Sequence, residues 1–506
     1  MKYFLFAILF ISCNSLTKVV EQQEMNSEKH RPQIHFSPKA NWMNDPNGMV
    51  FHNGIYHLFF QYYPDSTVWG PMHWGHATSK NLVHWTEENI ALYPDSLGYI
   101  FSGSAVVDKN NTSGFGKDGK VPLVAIYTYH DAAGEKAGRN NYQTQGLAYS
   151  LDDGKTWTKH EKNPVLHNPG IKDFRDPKVM WYEKDKKWIM ALATLDRISF
   201  YSSPDLKTWT KESEFGETVG AHGGVWECPD LFPINYNGEN VWVLFVSINP
   251  GGPNKGSATQ YFTGQFDGKT FTPYQTDTRW LDYGPDNYAG VTWSNVGDRK
   301  LFIGWMGNWQ YANLVPTHPW RSAMTIARDI GINKIRDKFM LTSIPAKELN
   351  VLNGSTKNLQ NIDATNYDIT AATGKMEGPA RLKFNAAKIE NFTITLSNDF
   401  GEKLIIGFDK AGNNYYIDRS KSGNIAFEKG FGAIATAPRI AQWDSTDLEL
   451  VIDNASVELF ADGGLTTMTA IFFPNQLFSN IGIASAQGFK IDNLVFNKMK
   501  SGLKTQ

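Results

Sequence analysis

Cysteine is nearly absent from this 506-residue chain. Only Cys13 and Cys228 are present, too few for a disulfide framework. No Cys or His set recurs at metal-ligand spacing, because His73 and His76, three apart, have no second pair. Neither sign of charge is in surplus: 49 Lys plus Arg face 51 Asp plus Glu, which argues against an electrostatic nucleic-acid binder. Long apolar runs are missing too. Residues 3–11 form an apolar stretch far below the ~20 residues that span a bilayer. Long amphipathic helical patterns are also lacking, which leaves strands as the main building material.

Aromatic residues are plentiful, at 13% with 16 Trp, and the composition suits a β-rich protein with an aromatic-lined pocket. Carbohydrate binding is one common use of such a pocket. With 41% hydrophobic residues the chain can bury a core, and its length fits one large domain or two moderate ones. At the N-terminus, Lys2, the apolar stretch and Ser12-Cys13 describe an export signal. A small residue before Cys resembles a bacterial lipoprotein signal, although Phe10 stands where Leu is usual. Residues 1–13 are therefore read as the signal and 14–30 as a polar tether. The expected location is the periplasm or cell surface, with membrane attachment through lipid on Cys13. Ordinary secretion with cleavage nearby is the alternative.

Five apolar runs look alike: residues 56–61, 123–127, 188–193, 241–247 and 301–305. Most follow a turn signal such as Asn53-Gly54 or Asn237-Gly238, so each reads as the second arm of a hairpin. After four of them a second element recurs. Ser79-Lys80-Asn81-Leu82-Val83-His84-Trp85 and Ser203-Pro204-Asp205-Leu206-Lys207-Thr208-Trp209 are close copies. Residues 150–157 carry one extra residue, and 265–271 form a weaker copy. Five such units predict a five-bladed β-propeller over residues 31–340, with two stacked sandwiches as the rival. Beyond 340 the strands lengthen and alternate, at 392–397, 403–408, 448–452, 456–460 and 467–473. Residues 341–506 therefore read as a β-sandwich, making the fold class all-β.

The innermost strand of each blade lines the propeller channel, so equivalent positions on those strands converge. Asp45 precedes Pro46, Asp176 precedes Pro177, and Glu227 lies two before Pro229, each 11 to 14 residues ahead of its hairpin arm. A turn-initiating Asp-Pro explains one such position well and three matched ones poorly. Three carboxylates at one mouth would repel, and their proximity should raise a pKa. Two carboxyl groups flanking a bond are the minimum apparatus for hydrolysing a glycoside. One protonates the leaving oxygen; the other attacks the anomeric carbon or activates water. Trp42, Trp69, Trp74, Trp226 and Trp309 offer flat faces to a sugar, or pack between blades.

At these residues the chain resembles family-32 glycoside hydrolases, which include invertases, inulinases and levanases. The resemblance rests on Trp42-Met43-Asn44-Asp45-Pro46-Asn47-Gly48, Phe59-Phe60-Gln61, Trp74-Gly75-His76, Phe101-Ser102-Gly103, Phe174-Arg175-Asp176-Pro177 and Trp226-Glu227-Cys228-Pro229. The run from Gly304 to Tyr311, Val315-Pro316-Thr317, Pro319-Trp320-Arg321, Tyr416-Ile417-Asp418-Arg419 and Ser456-Val457-Glu458-Leu459-Phe460 extend it over about residues 32–498. It implies a retaining β-fructosidase that needs no cofactor or metal. Asp45 would be the nucleophile, Glu227 the general acid and then base, and Asp176, helped by Arg175, the transition-state stabiliser. Retention asks for nucleophile and acid ~5–5.5 Å apart. Asn44, Gln61, Trp69, Phe101, Ser102 and Trp309 match family positions that hold the terminal sugar, and Trp42 belongs to the same motif.

Residues 221–226, 249–254 and 282–289 look more like levanases and exo-inulinases than plant invertases. The expected function is exo-release of fructose from levan, inulin or fructo-oligosaccharides, with sucrose as a further substrate. An endo-acting levanase shares the same motifs. A fructosyltransferase would share the covalent intermediate, and a non-catalytic sugar-binding propeller would need only the aromatic pocket. The latter has no use for three crowded acids. The sandwich is expected to pack against the propeller and stabilise it.

Overall fold

The computed structural model describes residues 28–503. The expected signal, Cys13 and residues 14–27 lie outside the described residues. Residues 28–30, placed in the tether by sequence, instead pack on the C-terminal unit. Lys29 Nζ donates to the Asn475 carbonyl (3.2 Å), and the His30 ring meets the Pro474 carbonyl (2.9 Å) and the Phe473 ring.

Five antiparallel sheets follow one another along the chain, and the five apolar runs are their second strands. The inner hairpins are Asn41–His52 with Ile55–Tyr63, Tyr99–Val107 with Leu123–His130, and Phe174–Tyr182 with Lys187–Thr194. Val225–Tyr236 with Glu239–Asn249 and Tyr288–Thr292 with Leu301–Met306 complete the set. Each first strand touches the first strand of the next blade, and the fifth touches the first, so the five enclose a channel. A short strand from the link between the fifth blade's second and third strands, Trp320–Arg321, pairs in parallel with Asn41 and Trp42 and ties the ring shut.

The recurring turn joins third to fourth strands, and its chemistry explains its sequence. Asn81, Asp152, Asp205 and Asp267 each accept backbone N–H bonds from residues two to four further on, the Asx device that lets a short polar side chain replace a backbone turn. Leu82 and Leu206 both take positive φ, 61° and 65°. The closing indoles of Trp157 and Trp209 donate back to Gly154 and Leu206 carbonyls, both at 3.1 Å.

The last propeller strand, Lys338–Pro345, pairs with Arg328–Ile335 and so runs past residue 340. A 3-10 turn, Lys347–Leu352, then leads into two six-stranded sheets packed on one shared apolar core. Charged residues join the two units. Arg328, fully buried, bonds Glu458 and Asp282, while His35 bridges Glu458 and Asp453 at 2.8 Å each. Nearby, Arg419 bonds Asp286 (2.7 Å) and the Tyr311 hydroxyl (2.9 Å).

Candidate active site

All five inner strands are bulged at the same level. In the first blade the register steps from Asn44 to Pro46 and skips Asp45. In the others, two residues oppose one: Phe101-Ser102, Asp176-Pro177, Cys228-Pro229 and Ala289-Gly290. Pro177 and Pro229 stand in these bulges, whereas Pro46 pairs with Phe60 just past its own; an inner strand edges its sheet, where a residue without an N–H is tolerated. A bulge also bends the strand, so that successive residues can address the channel.

The bulges create two tiers of side chains. Before the bulge, nearer the strand starts, stand Asn44, Arg175, Glu227 and Tyr288. Within it, one step deeper, stand Asp45, Ser102, Asp176 and Cys228. Glu227 is thus offset by one place from Asp45 and Asp176, not matched to them as the spacing suggested. Each tier is bonded internally. Arg175 donates to Glu227 Oε1 through Nε (3.1 Å) and Nη2 (3.0 Å), and the Tyr288 hydroxyl donates to Oε2. Below, the Ser102 hydroxyl donates to Asp45 Oδ2 at 3.0 Å and the Cys228 N–H to Asp176 Oδ2 at 3.0 Å. The Cys228 thiol points at both carboxylates, 3.7 and 3.6 Å away.

Burial, then the Glu227 charge, raises Asp45 to about 6. Burial also raises Asp176 to about 7; Arg175 opposes this, while Glu227 and Asp45 add to it. Asp176 thus titrates near neutral pH, and Asp45 about one unit lower. Burial and the three acids push the Cys228 thiol well up, so it stays protonated and acts as a donor. Beneath the acids the channel is plugged by Lys178, whose Nζ bonds Asp230 (3.1 Å) and the Thr292 carbonyl (2.6 Å). Above them lies a cavity of about 230 Å³.

This arrangement coincides with a family match along nearly the whole chain. The model of the glycosyl hydrolases family 32 N-terminal domain matches residues 35–343, and the family's C-terminal model matches 345–499. The chain belongs to glycosyl hydrolase family 32. It is 45% identical over 487 residues to the levanase of Bacillus subtilis (strain 168), covering 94% of this chain and 71% of that one. It is 42% identical to the extracellular exo-inulinase of Aspergillus ficuum, covering 89% and 90%. The crystal structure of exo-inulinase from Aspergillus awamori superposes with a TM-score of 0.85 at 38% identity, over 94% of this chain and 99% of that one. This glycosyl hydrolase therefore shares both propeller and sandwich with its relatives.

Within the family-32 cavity, the structure brings together Asn44, Asp45, Gln61, Trp69, Phe101, Ser102, Arg175, Asp176, Glu227 and Trp309. Trp42 does not reach it. It is fully buried; its indole donates to Asn44 Oδ1 at 2.7 Å, and its ring stacks on Trp309. It positions those two residues rather than offering a face to a sugar. Trp74 and Trp226 are likewise buried, their indoles donating to the Phe101 and Ala221 carbonyls. The sequence reading missed four lining residues: His130, Glu135, Gln143 and Asp173. Asp173 carried a signal, since it lies two before Arg175 and accepts from its Nη1 at 2.6 Å. The other three come from the second blade: His130 ends its second strand, Glu135 sits in the loop that follows and Gln143 begins the third strand, and no motif marks them.

Proposed function

We propose that this protein is an exported β-fructosidase that removes terminal fructose from β-fructans with retention. The observation that carries the reading is the two-tier acid site above a plugged channel floor. A polymer end fits such a pocket, and a chain cannot thread through it. The kinship with a levanase and exo-inulinases supports a fructan as the substrate. The structure of a single-residue variant of a related fructofuranosidase from Schwanniomyces occidentalis, with a TM-score of 0.85, is a complex with fructosylnystose.

In this mechanism the Asp45 carboxylate attacks the anomeric carbon while Glu227 passes its proton to the leaving oxygen. Water, deprotonated by Glu227, then cleaves the fructosyl ester and restores both groups. Arg175 and Tyr288 orient Glu227. Asp176 binds sugar hydroxyls and faces the oxocarbenium-like charge. Because Asp45 must be ionised, activity is expected to fall as pH drops through about 6.

A timed product profile on levan, inulin and sucrose tests the reading. Fructose alone from the earliest point is expected. A ladder of oligosaccharides appearing first would mean an endo-acting enzyme, and no product from any of the three would defeat the fructan assignment. Export accords with the "extracellular" relatives. For anchoring, a fatty acid label is expected on the wild-type protein and absent from Cys13→Ser. An unlabelled wild type would leave plain secretion.

A further inference from the structure

Glu135 borders the cavity from a loop that no motif marks. It sits on the short helix Ala132–Lys136, which is clamped rather than free. The Asp131 side chain caps Gly134 N–H at 2.9 Å and pairs with Arg139, while Asp131 N–H bonds the Tyr142 carbonyl at 2.8 Å and closes the loop's base. Glu135 has one side-chain partner among the described residues, His130 Nε2 at 3.3 Å. Burial and the charge of Arg175 lower His130 to about 4, so its ring is neutral at pH 7 and the pair is no ion pair. The carboxylate keeps acceptor capacity directed at the cavity.

Depth decides what it faces. Asp176 is 5% exposed, the Glu227 side chain 19%, Trp69 38% and the Glu135 side chain 52%, an order that runs from floor to mouth. A continuous rim joins the outer members. Trp69 meets Phe101 edge-on at 6.1 Å, Phe101 stacks on His130 at 4.2 Å, and His130 touches Glu135. A fructosyl unit seated against Asp45 and Asp176 fills the floor. Its leaving group must then pass Glu227 and emerge between Trp69 and Glu135.

We propose that Glu135 is a specificity-determining residue whose carboxylate accepts hydrogen bonds from hydroxyls of the leaving sugar. This rests on the β-fructosidase reading above. A carboxylate is a strong acceptor for sugar hydroxyls. It also disfavours an anionic leaving group.

The test compares sucrose with methyl β-fructofuranoside, whose leaving group has no further hydroxyls. Glu135→Ala is expected to lower kcat/KM on sucrose roughly tenfold, the scale of one lost bond to a charged group, and to leave the methyl fructoside within about twofold. Glu135→Gln, which keeps an acceptor oxygen, should fall between. Equal losses on both substrates, or none on sucrose, would overturn the proposal. A wild-type enzyme inactive on every fructoside would instead overturn the underlying reading, and the proposal with it.

Discussion

Asp45→Asn is expected to abolish turnover and, at neutral pH, to raise the melting temperature. The first effect follows from the nucleophile's role: an amide cannot form the fructosyl ester, so kcat should drop by roughly 10⁴-fold or more. Binding of a fructoside should survive, because Asn44, Gln61, Arg175 and Trp309 are untouched. The second effect follows from linkage. Asp45 titrates at about 6 in the fold against 3.8 unfolded, so the folded state binds the extra proton. The sign is therefore destabilising: as pH rises from 3.8 through 6, ionisation costs the fold up to about 3 kcal/mol. The true figure is smaller, since the carboxylate still borders an open cavity. Asparagine removes that penalty at pH 7 and has little to remove at pH 4. Melting curves of both proteins at the two pH values, beside initial rates on sucrose, check it. Residual hydrolysis would displace Asp45 as nucleophile, and a variant less stable at pH 7 than wild type would refute the electrostatic account.

Such a trade is expected where an active site gathers like charges. It also shows why this site was legible in sequence. A Pro inside a strand needs a place where no ladder N–H is required, and Asp45-Pro46 and Asp176-Pro177 marked two inner strands whose registers step at or beside them. The five hairpin arms and the Asx turns at Asn81 and Asp205 were equally legible, because local alternation and turn chemistry suffice to set them. The one-place offset of Glu227 was not. It depends on cross-strand register, which places Cys228, not Glu227, level with Asp176.

Tryptophans divided for a similar reason. Trp69 and Trp309 reach the cavity from loops, whereas Trp42, Trp74 and Trp226 sit in or beside inner blades and spend their indole N–H on neighbours. Composition cannot separate these two fates. Residues 282–289, which looked like a substrate-preference segment, do something else as well. Asp282 and Asp286 anchor arginines of the interface between propeller and sandwich, and Tyr288 bonds Glu227. Contacts across 46, 133 and 61 residues of chain leave no local trace.

That interface carries the second large effect. Arg328→Met is expected to destabilise the protein by about 3–5 kcal/mol, the cost of stranding a buried partner, and to lower the melting temperature by about 3–5 °C in a chain of this size. Glu458 would keep His35 but lose its guanidinium, and Asp282 would keep only neutral donors and backbone. Replacing Glu458 by Met in the same protein should recover only part of the loss, because it removes one stranded carboxylate but leaves Asp282 without its arginine and His35 with Asp453 alone. The network also predicts a pH window. Two hydrogen-bonded carboxylates raise His35 from 6.5 to about 9, so its contribution is complete below 6.5 and lost as pH rises through 9. Glu458 and Asp453 are lowered from 4.5 and 3.8, Glu458 chiefly by Arg328 and Asp453 by His35. Their contribution is present above those values and lost in stronger acid. Stability from this cluster therefore peaks between about 4.5 and 6.5. Calorimetry should show one transition for the wild type and a split or broadened one for Arg328→Met, as propeller and sandwich uncouple. An unchanged single transition in the variant would mean that apolar packing alone joins the two units.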